Sequence, residues 1–415
     1  MDQGKPFLVP KAYLQAIPFL ALAAGIAGMF IARAMVSISM IVLICYALLL
    51  VDPRKTFRAF FNDRVLVALS LVFFLYLVSC INSTEDQPFY LERLRLKLPF
   101  LALPIAFTVF KGNLNDRRFS LLLYFYFVVV AITTFIITIQ YAADFEVINN
   151  AYMQGRVIDT PFSHIRYSLM VAFAVFTGYY LFIHKKVIRY DWERWLIAAI
   201  SAYLIFFIHL LAVRSGLVAF YGCVLYLIFR FIFQSRQLKT ALLLTAVVLL
   251  LPILTYLLLP SFKAKVNYMK YDLQQLLEYK NASGLSDGGR ILSIEKGIAL
   301  LRAHPFTGVG VGDLKQEMKR ELEKAPEHPR DSLLPHNQFV FVAAGTGIFG
   351  LLLFSTCIFL PLFNRKNMSN MLFVCFSIII LSSFLTEATI EEQMGTAFYL
   401  QFLLLMYVFL QSKES

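Results

Sequence analysis

Pro335-His336-Asn337-Gln338, followed by FVFVAAGTGIFGLLLFSTCIFLPL (residues 339–362), decides the fold. The apolar run, Phe339 to Leu362, carries no charge. It is longer than the ~20 residues an α-helix needs to cross a bilayer, where only an element that satisfies its own backbone hydrogen bonds survives. His336 ends a polar stretch of seventy-odd residues and opens this run, so a titratable imidazole stands where a membrane helix meets water. Gly347 lies eleven residues further on. Arg290 is in the same polar stretch, and Arg214 sits at another membrane boundary. Cations and a proton acceptor at one face of a bilayer point to chemistry on an anionic lipid.

Outward from this stretch, apolar runs recur along almost the whole chain. Of 415 residues, 59% are hydrophobic and only 15% charged, against the quarter or so usual in soluble proteins, and mean hydropathy is +0.69. The composition predicts an all-α polytopic membrane protein. Twelve candidate spans centre near 14–32, 34–51, 65–82, 98–110, 119–142, 167–183, 195–213, 217–233, 240–259, 337–362, 371–386 and 397–411. The fourth is short and holds Pro99 and Pro104, which predicts a kinked or re-entrant segment. The first run, from about Tyr13 to Ala32, is long enough to remain as a span rather than be removed as a signal peptide. The organisation expected is spans one to nine in residues 1–259, a loop in 260–335, and spans ten to twelve in 336–415.

The net charge of +12 reads first as topology. One family of loops, with the termini, holds nineteen Lys/Arg, among them Arg54, Lys55, Lys111, Arg118, Lys185, Arg230 and Lys366. The alternate loops hold seven: Arg33, Arg93, Arg95, Lys97, Arg156, Arg166 and Arg214. The positive-inside rule puts both termini in the cytoplasm and the long loop on the other side, which in a bacterium is the periplasm or cell exterior. That loop carries twelve Lys/Arg against ten Asp/Glu, too balanced for a basic tail that binds nucleic acid. The five cysteines lie in apolar runs at no metal-ligand spacing and predict small core residues without a disulfide framework. No internal repeat stands out.

Within the loop, Asp287-Gly288-Gly289 reads as a turn. Ile291, Ile294, Ile298 and Leu301 then give an amphipathic helix, which His304-Pro305 ends. Thr307 to Asp313 reads as a flexible crossing, and Leu314 to Lys324 as a second, strongly charged helix. The Gly308-Val309-Gly310-Val311-Gly312 run lacks the Lys-Ser/Thr of a phosphate loop and has no strand before it, so nucleotide binding is rejected.

Each candidate residue has a functional and a structural reading. His336 is a general base for a sugar hydroxyl, or a helix-capping interfacial histidine. Arg290 grips phosphate oxygens with its planar fork, or is a solvated arginine in the first turn of a helix. Arg214, in Ala212-Val213-Arg214-Ser215-Gly216, lines a site or snorkels to lipid phosphates. Arg166 follows Ser163-His164-Ile165 and meets a lipid pyrophosphate or anchors its helix at headgroups. Of Glu387, Glu391 and Glu392 in the last outward loop, one contacts a sugar hydroxyl or orients a cation, and the others are solvated. Gly345 and Gly347 allow close helix approach. No set of residues has metal-ligand spacing, and no Ser/His/Asp arrangement is visible. A transporter would place ionisable groups at mid-bilayer; here the arginines gather at one interface, although His209 lies inside a span.

Gly289-Arg290, His304-Pro305-Phe306-Thr307-Gly308-Val309-Gly310, Pro335-His336-Asn337 and Gly345-Thr346-Gly347 together resemble the O-antigen ligase/polymerase superfamily. His336 and Gly347 fit the ligase spacing. Arg290 fits an R-x3-L motif with Ile294 in place of Leu, and Val213-Arg214-Ser215-Gly216 looks like the family's arginine at the outer end of a middle span. The sharp motifs run from about Arg214 to Gly350, and the topology agrees along the chain.

The resemblance implies a GT-C type glycosyltransferase of the bacterial inner membrane. It would take glycan from undecaprenyl pyrophosphate, with no metal and no cofactor, and pass it at the periplasmic face to lipid A-core as a ligase, or to another lipid-linked repeat as an O-antigen or capsule polymerase. On that reading His336 is the catalytic base, Arg214, Arg290 and Arg166 bind the pyrophosphate, and Glu391 and Asn337 are candidate acceptor or sugar contacts. Membrane lipids are the other partners.

Overall fold

The computed structural model describes residues 11–279, 286–324 and 333–412, and every element in them is helical. Helix α1 (Lys11–Ile31) turns within one residue into α2 (Arg33–Cys45), and the two form a tight hairpin. A short basic helix, α3 (Pro53–Phe61), leads through the Asp63 N-cap into α4 (Arg64–Val78). Then come α5 (Gln87–Ala106), the long α6 (Asp116–Ala143), α7 (Phe145–Met153), α8 (His164–His184), α9 (Asp191–Leu211), α10 (Arg214–Phe233) and α11 (Leu238–Leu258). The loop segment holds α12 (Pro260–Tyr279), α13 (Ser286–Ala303) and α14 (Leu314–Glu323). The chain closes with α15 (Gln338–Phe359), α16 (Arg365–Ser369), α17 (Met371–Thr386) and α18 (Gln393–Gln411).

Ten of these helices are long and apolar enough to cross a membrane, among the described residues. They account for ten of the twelve expected spans. The span expected at 371–386 is α17, apolar but only 16 residues long. The one expected at 98–110 begins earlier, as α5 from Gln87, and runs unbroken through Pro99 and Pro104. Arg93, Arg95 and Lys97, taken in sequence for loop charges, therefore lie on a helix, and Lys97 is fully buried.

Burial ranks the helices. The apolar stretch of α18 is 94% buried and that of α8 78%, whereas that of α11 is 11% buried. So α18 and α8 form the axis and α11 faces outward, as an all-round apolar helix does when its other neighbour is lipid. Loops of the richly basic set meet one another at one end of the bundle: Lys111 bonds Asp63 at 2.7 Å, Lys186 pairs with Asp116 at 3.2 Å, and Arg230 reaches the Ser369 carbonyl at 3.1 Å.

At the other end lie α12 to α14, and two expectations change there. Asp287-Gly288-Gly289 is the first turn of α13 rather than a turn before it. The glycine-rich crossing is not flexible. Val309 and Gly310 donate to the carbonyls of Ala344 and Gly345 at 2.9 and 3.0 Å, and Ile348 donates back to Pro305 at 2.8 Å. Gly347, at φ 69°, breaks α15 at that point, so the segment 305–310 pairs with unwound helix backbone much as a strand would. A Cβ on Gly347 would sit 2.1 Å from the Phe306 carbonyl oxygen, so this glycine admits a loop rather than another helix. Asp313 then fastens the crossing to the start of α5, accepting from the backbone of Thr84 and Glu85 at 2.8 Å each.

Candidate active site

Four helices begin at one cleft of about 480 Å3: α8, α10, α13 and α15. Each places a basic side chain there, Arg166, Arg214, Arg290 and His336 in turn. The first turn of a helix leaves its N–H groups unpaired and carries the positive end of the macrodipole. Four such ends beside three guanidinium groups and an imidazole make a strongly anion-seeking site. Glu387 and Glu392 are the carboxylates that line it, from the loop before α18.

Local chemistry fixes each group. Arg214 starts α10 after a turn in which Ala212 adopts a left-handed conformation, φ 50°. The carbonyls this turn leaves at the end of α9 are taken up by Tyr152, which donates to Leu211 at 3.0 Å, and by Ser261, which donates to Leu210 at 2.9 Å. Gly216 lets α10 press on α8, where a Cβ would meet that of Ser168 at 2.5 Å. This contact brings Arg166 and Arg214 together. Arg166 is buried and pairs with Glu392 at 2.9 Å, and Arg290 pairs with Glu387 at 3.0 Å.

His336 is held by Ser293, a fully buried residue one turn along α13 from Arg290. The Ser293 hydroxyl donates its one proton to the Arg290 carbonyl at 2.8 Å. It accepts from the His336 backbone N–H at 3.1 Å and lies 3.1 Å from His336 Nδ1. With that proton assigned to the carbonyl, the serine oxygen accepts from Nδ1, the tautomer in which Nε2 keeps its lone pair. Burial above all, and then the charges of Arg290 and Arg166, lower the His336 pKa below 6.5, against the opposing pull of Glu387 and of the Leu334 carbonyl. The imidazole is thus neutral near pH 7, with a proton-accepting nitrogen left for a ligand.

Two expected contacts lie elsewhere. Asn337 caps α15, accepting from Phe339 and Val340 and donating to the Leu385 carbonyl at 3.0 Å. Glu391 does not line the cleft. It is buried, and its Oε1 accepts from Tyr76, from Lys97 at 2.8 Å and from Gln338 at 2.9 Å. Lys97 and Arg93 hold its carboxyl below the usual range, although burial alone would raise it. Glu391 thereby anchors the loop whose neighbours Glu387 and Glu392 face the cleft. Ser293 carried no sequence signal beyond its spacing of three from Arg290, which puts both on one helix face. Lys265, from α12, also lines the cleft and was not singled out from sequence.

A second lobe of about 370 Å3 adjoins the first and shares Arg214, Arg290, His336 and Glu387 with it. Its other walls are mainly apolar, from Val218, Ile291, Ile294 and Leu385, with Ser215, Asp272 and Thr386 between them. Among the described residues, no group of His, Cys, Asp and Glu is placed to hold a metal ion.

The family model for O-antigen ligase matches residues 199–355. Residues 199–355 form an O-antigen ligase-like domain. The match bears out the resemblance read from the motifs, and the ligase domain runs from α9 into α15. It includes Arg214, Arg290, Ser293 and His336, whereas Arg166 and the Glu387–Glu392 loop complete the cleft from outside it. No curated protein matches the chain. The ligase domain makes the chain a glycosyltransferase-like membrane enzyme of the ligase/polymerase type.

Proposed function

We propose that the chain is a metal-independent inverting glycosyltransferase. It would move a glycan from undecaprenyl pyrophosphate to lipid A-core at the periplasmic face of the bacterial inner membrane, with both termini cytoplasmic. The observation that carries this reading is the joined pair of lobes. One is cationic and polar, the other mainly apolar, and Arg214, Arg290 and His336 stand where they meet. A lipid diphosphate has that same division, with its charge beside the sugar and its hydrocarbon behind.

In the reaction, Nε2 of His336 takes the proton of an acceptor hydroxyl. That oxygen forms a bond to the anomeric carbon as the bond from carbon to the diphosphate oxygen breaks, and attack from the opposite face inverts the centre. The diphosphate leaves with the electron pair, and Arg214, Arg290 and Arg166 stabilise its growing charge through preorganised donors. Glu387 and Glu392 hold two of those arginines in place before substrate arrives.

The test is to supply purified protein with a lipid-linked oligosaccharide, with and without lipid A-core, and to size the products. One discrete addition to the core is expected. Ladders formed without core would overturn ligation in favour of repeat polymerisation. Arg214→Ala and Arg290→Ala should each slow donor use by about 10²-fold, with Lys rescuing only in part because it lacks the planar fork.

A further inference from the structure

On α5, Arg93, Arg95 and Lys97 point two ways. Arg93 and Lys97 are four apart and share a face: Arg93 donates to the Glu391 carbonyl at 2.6 Å, and Lys97 bonds the Glu391 carboxylate at 2.8 Å. Arg95 falls on the opposite face and stays exposed. There it lines a separate cleft of about 360 Å3 between α5, α2 and the start of α18, together with Arg33, Ser37, Met40, Pro99 and Gln393. No carboxylate lines this cleft, and neither Arg33 nor Arg95 has an acidic partner among the described residues. Arg33 opens α2, whose first turn has no acidic residue and whose N-cap residue, Ala32, supplies no side-chain bond. Positive charge from two forks and one helix end is thus left without a counter-charge from the protein.

The cleft has the gradient of a lipid headgroup site. Arg33 is the first residue of α2 and Met40 lies two turns further along it, while on α5 Arg95 comes one turn before Pro99, counted from the helix start that Asp313 fastens. Beside it, Ile38 and Ile41 of α2 and Leu98 of α5 are exposed along faces that no other helix covers. The cleft also abuts the ligase site through adjacent residues. Glu392 reaches Arg166 at 2.9 Å on one side, while Gln393 donates to Ser37 Oγ at 2.9 Å and to the Arg33 carbonyl at 3.1 Å on the other.

We propose that the Arg33–Arg95 cleft binds the phosphate of a lipid headgroup, and that this lipid is the acceptor, held beside the donor site across Glu392 and Gln393. The second half rests on the transfer reading above; the first does not.

The test has two readouts on the full-length protein in detergent-lipid micelles. The first is photo-crosslinking with a photoreactive phosphatidic acid, mapped by mass spectrometry to peptides of α2 and α5. Adducts there should fall about tenfold in R33Q/R95Q, as expected when charge-assisted phosphate contacts are lost. A photoreactive diacylglycerol should give few in either protein. Equal adducts from the two lipids, equal adducts in wild type and variant, or displacement of the lipid by inorganic phosphate would each overturn the site. The second readout is transfer kinetics. R33Q/R95Q should raise the KM for a phosphorylated lipid acceptor about tenfold, while the KM for a dephosphorylated acceptor and that for the donor stay close to wild type. An acceptor KM that does not move, with adducts lost, would overturn the acceptor assignment and leave the phosphate site standing. Crosslinking needs no turnover, so failure of the transfer reading is seen separately.

Discussion

At the residue scale, the decisive detail is which nitrogen of His336 carries hydrogen. Ser293 spends its proton on the Arg290 carbonyl and so sets the imidazole tautomer. His336→Ala should lower kcat by about 10²- to 10⁴-fold, the usual worth of general-base catalysis, while the protein still inserts and purifies. Ser293→Ala keeps the imidazole but frees its orientation, and should cost kcat roughly 10²-fold. Near-normal turnover in either purified variant would remove that residue from the scheme.

The acid limb of the rate profile should lie below pH 6.5, since burial and the neighbouring arginines lower the His336 pKa. Glu387 raises that pKa, so Glu387→Gln should move the limb further down. A limb that moves up in a pH profile of kcat/KM would show that another group titrates. The arginines and the histidine were legible in sequence because charge at a membrane boundary is costly and stands out. Ser293 was not, because a serine one turn along a helix looks the same whether it holds a base or faces a neighbour. Glu391 was misplaced for a related reason: three acids in six residues cannot be told apart until a partner, Lys97, is brought in from almost 300 positions away.

At the scale of elements, the break in α15 depends on Gly347. Gly347→Ala would meet both a left-handed φ and the Phe306 carbonyl, a strain of about 1–3 kcal/mol before any displacement. A lower Tm in detergent and loss of transfer are expected. Gly222→Ala, whose Cβ would come no nearer than 3.2 Å to Ile378, is the matched control and should change neither. The apolar run was plain from sequence; its interruption was not, because the cause lies in backbone bonds to residues 305–310. The sequence reading of α5 erred by reading charge as loop. Lys97 and Glu391, 0% and 4% exposed in their side chains, satisfy each other inside the bundle. Removing either partner alone leaves a buried charge and should cost about 3–5 kcal/mol, whereas Lys97→Met with Glu391→Leu should recover much of that loss. If the double variant is no more stable than the singles, the pair is not what holds this loop.

At the scale of the molecule, the two ends of the bundle differ in charge, and sidedness follows. In a protein without native cysteines, Glu323→Cys should react with an impermeant maleimide in intact cells, and Lys186→Cys should react only after lysis. The reverse pattern would put the cleft on the cytosolic side and deny it a lipid-linked glycan that has already been flipped. The all-helical membrane class could be read from composition alone, because hydropathy is a property of each segment. The convergence of four helix starts could not, since it depends on how segments pack.

The joining of a charged lobe to an apolar one limits what could block this enzyme. A compact dianion without a tail would occupy one chamber and leave the greasy one vacant, and a nucleotide-sugar mimic would present a base to walls built for hydrocarbon. A useful inhibitor must therefore be an amphiphile. Its potency should climb with the length of the alkyl arm until the apolar chamber is full, and level off once further carbons emerge into the bilayer.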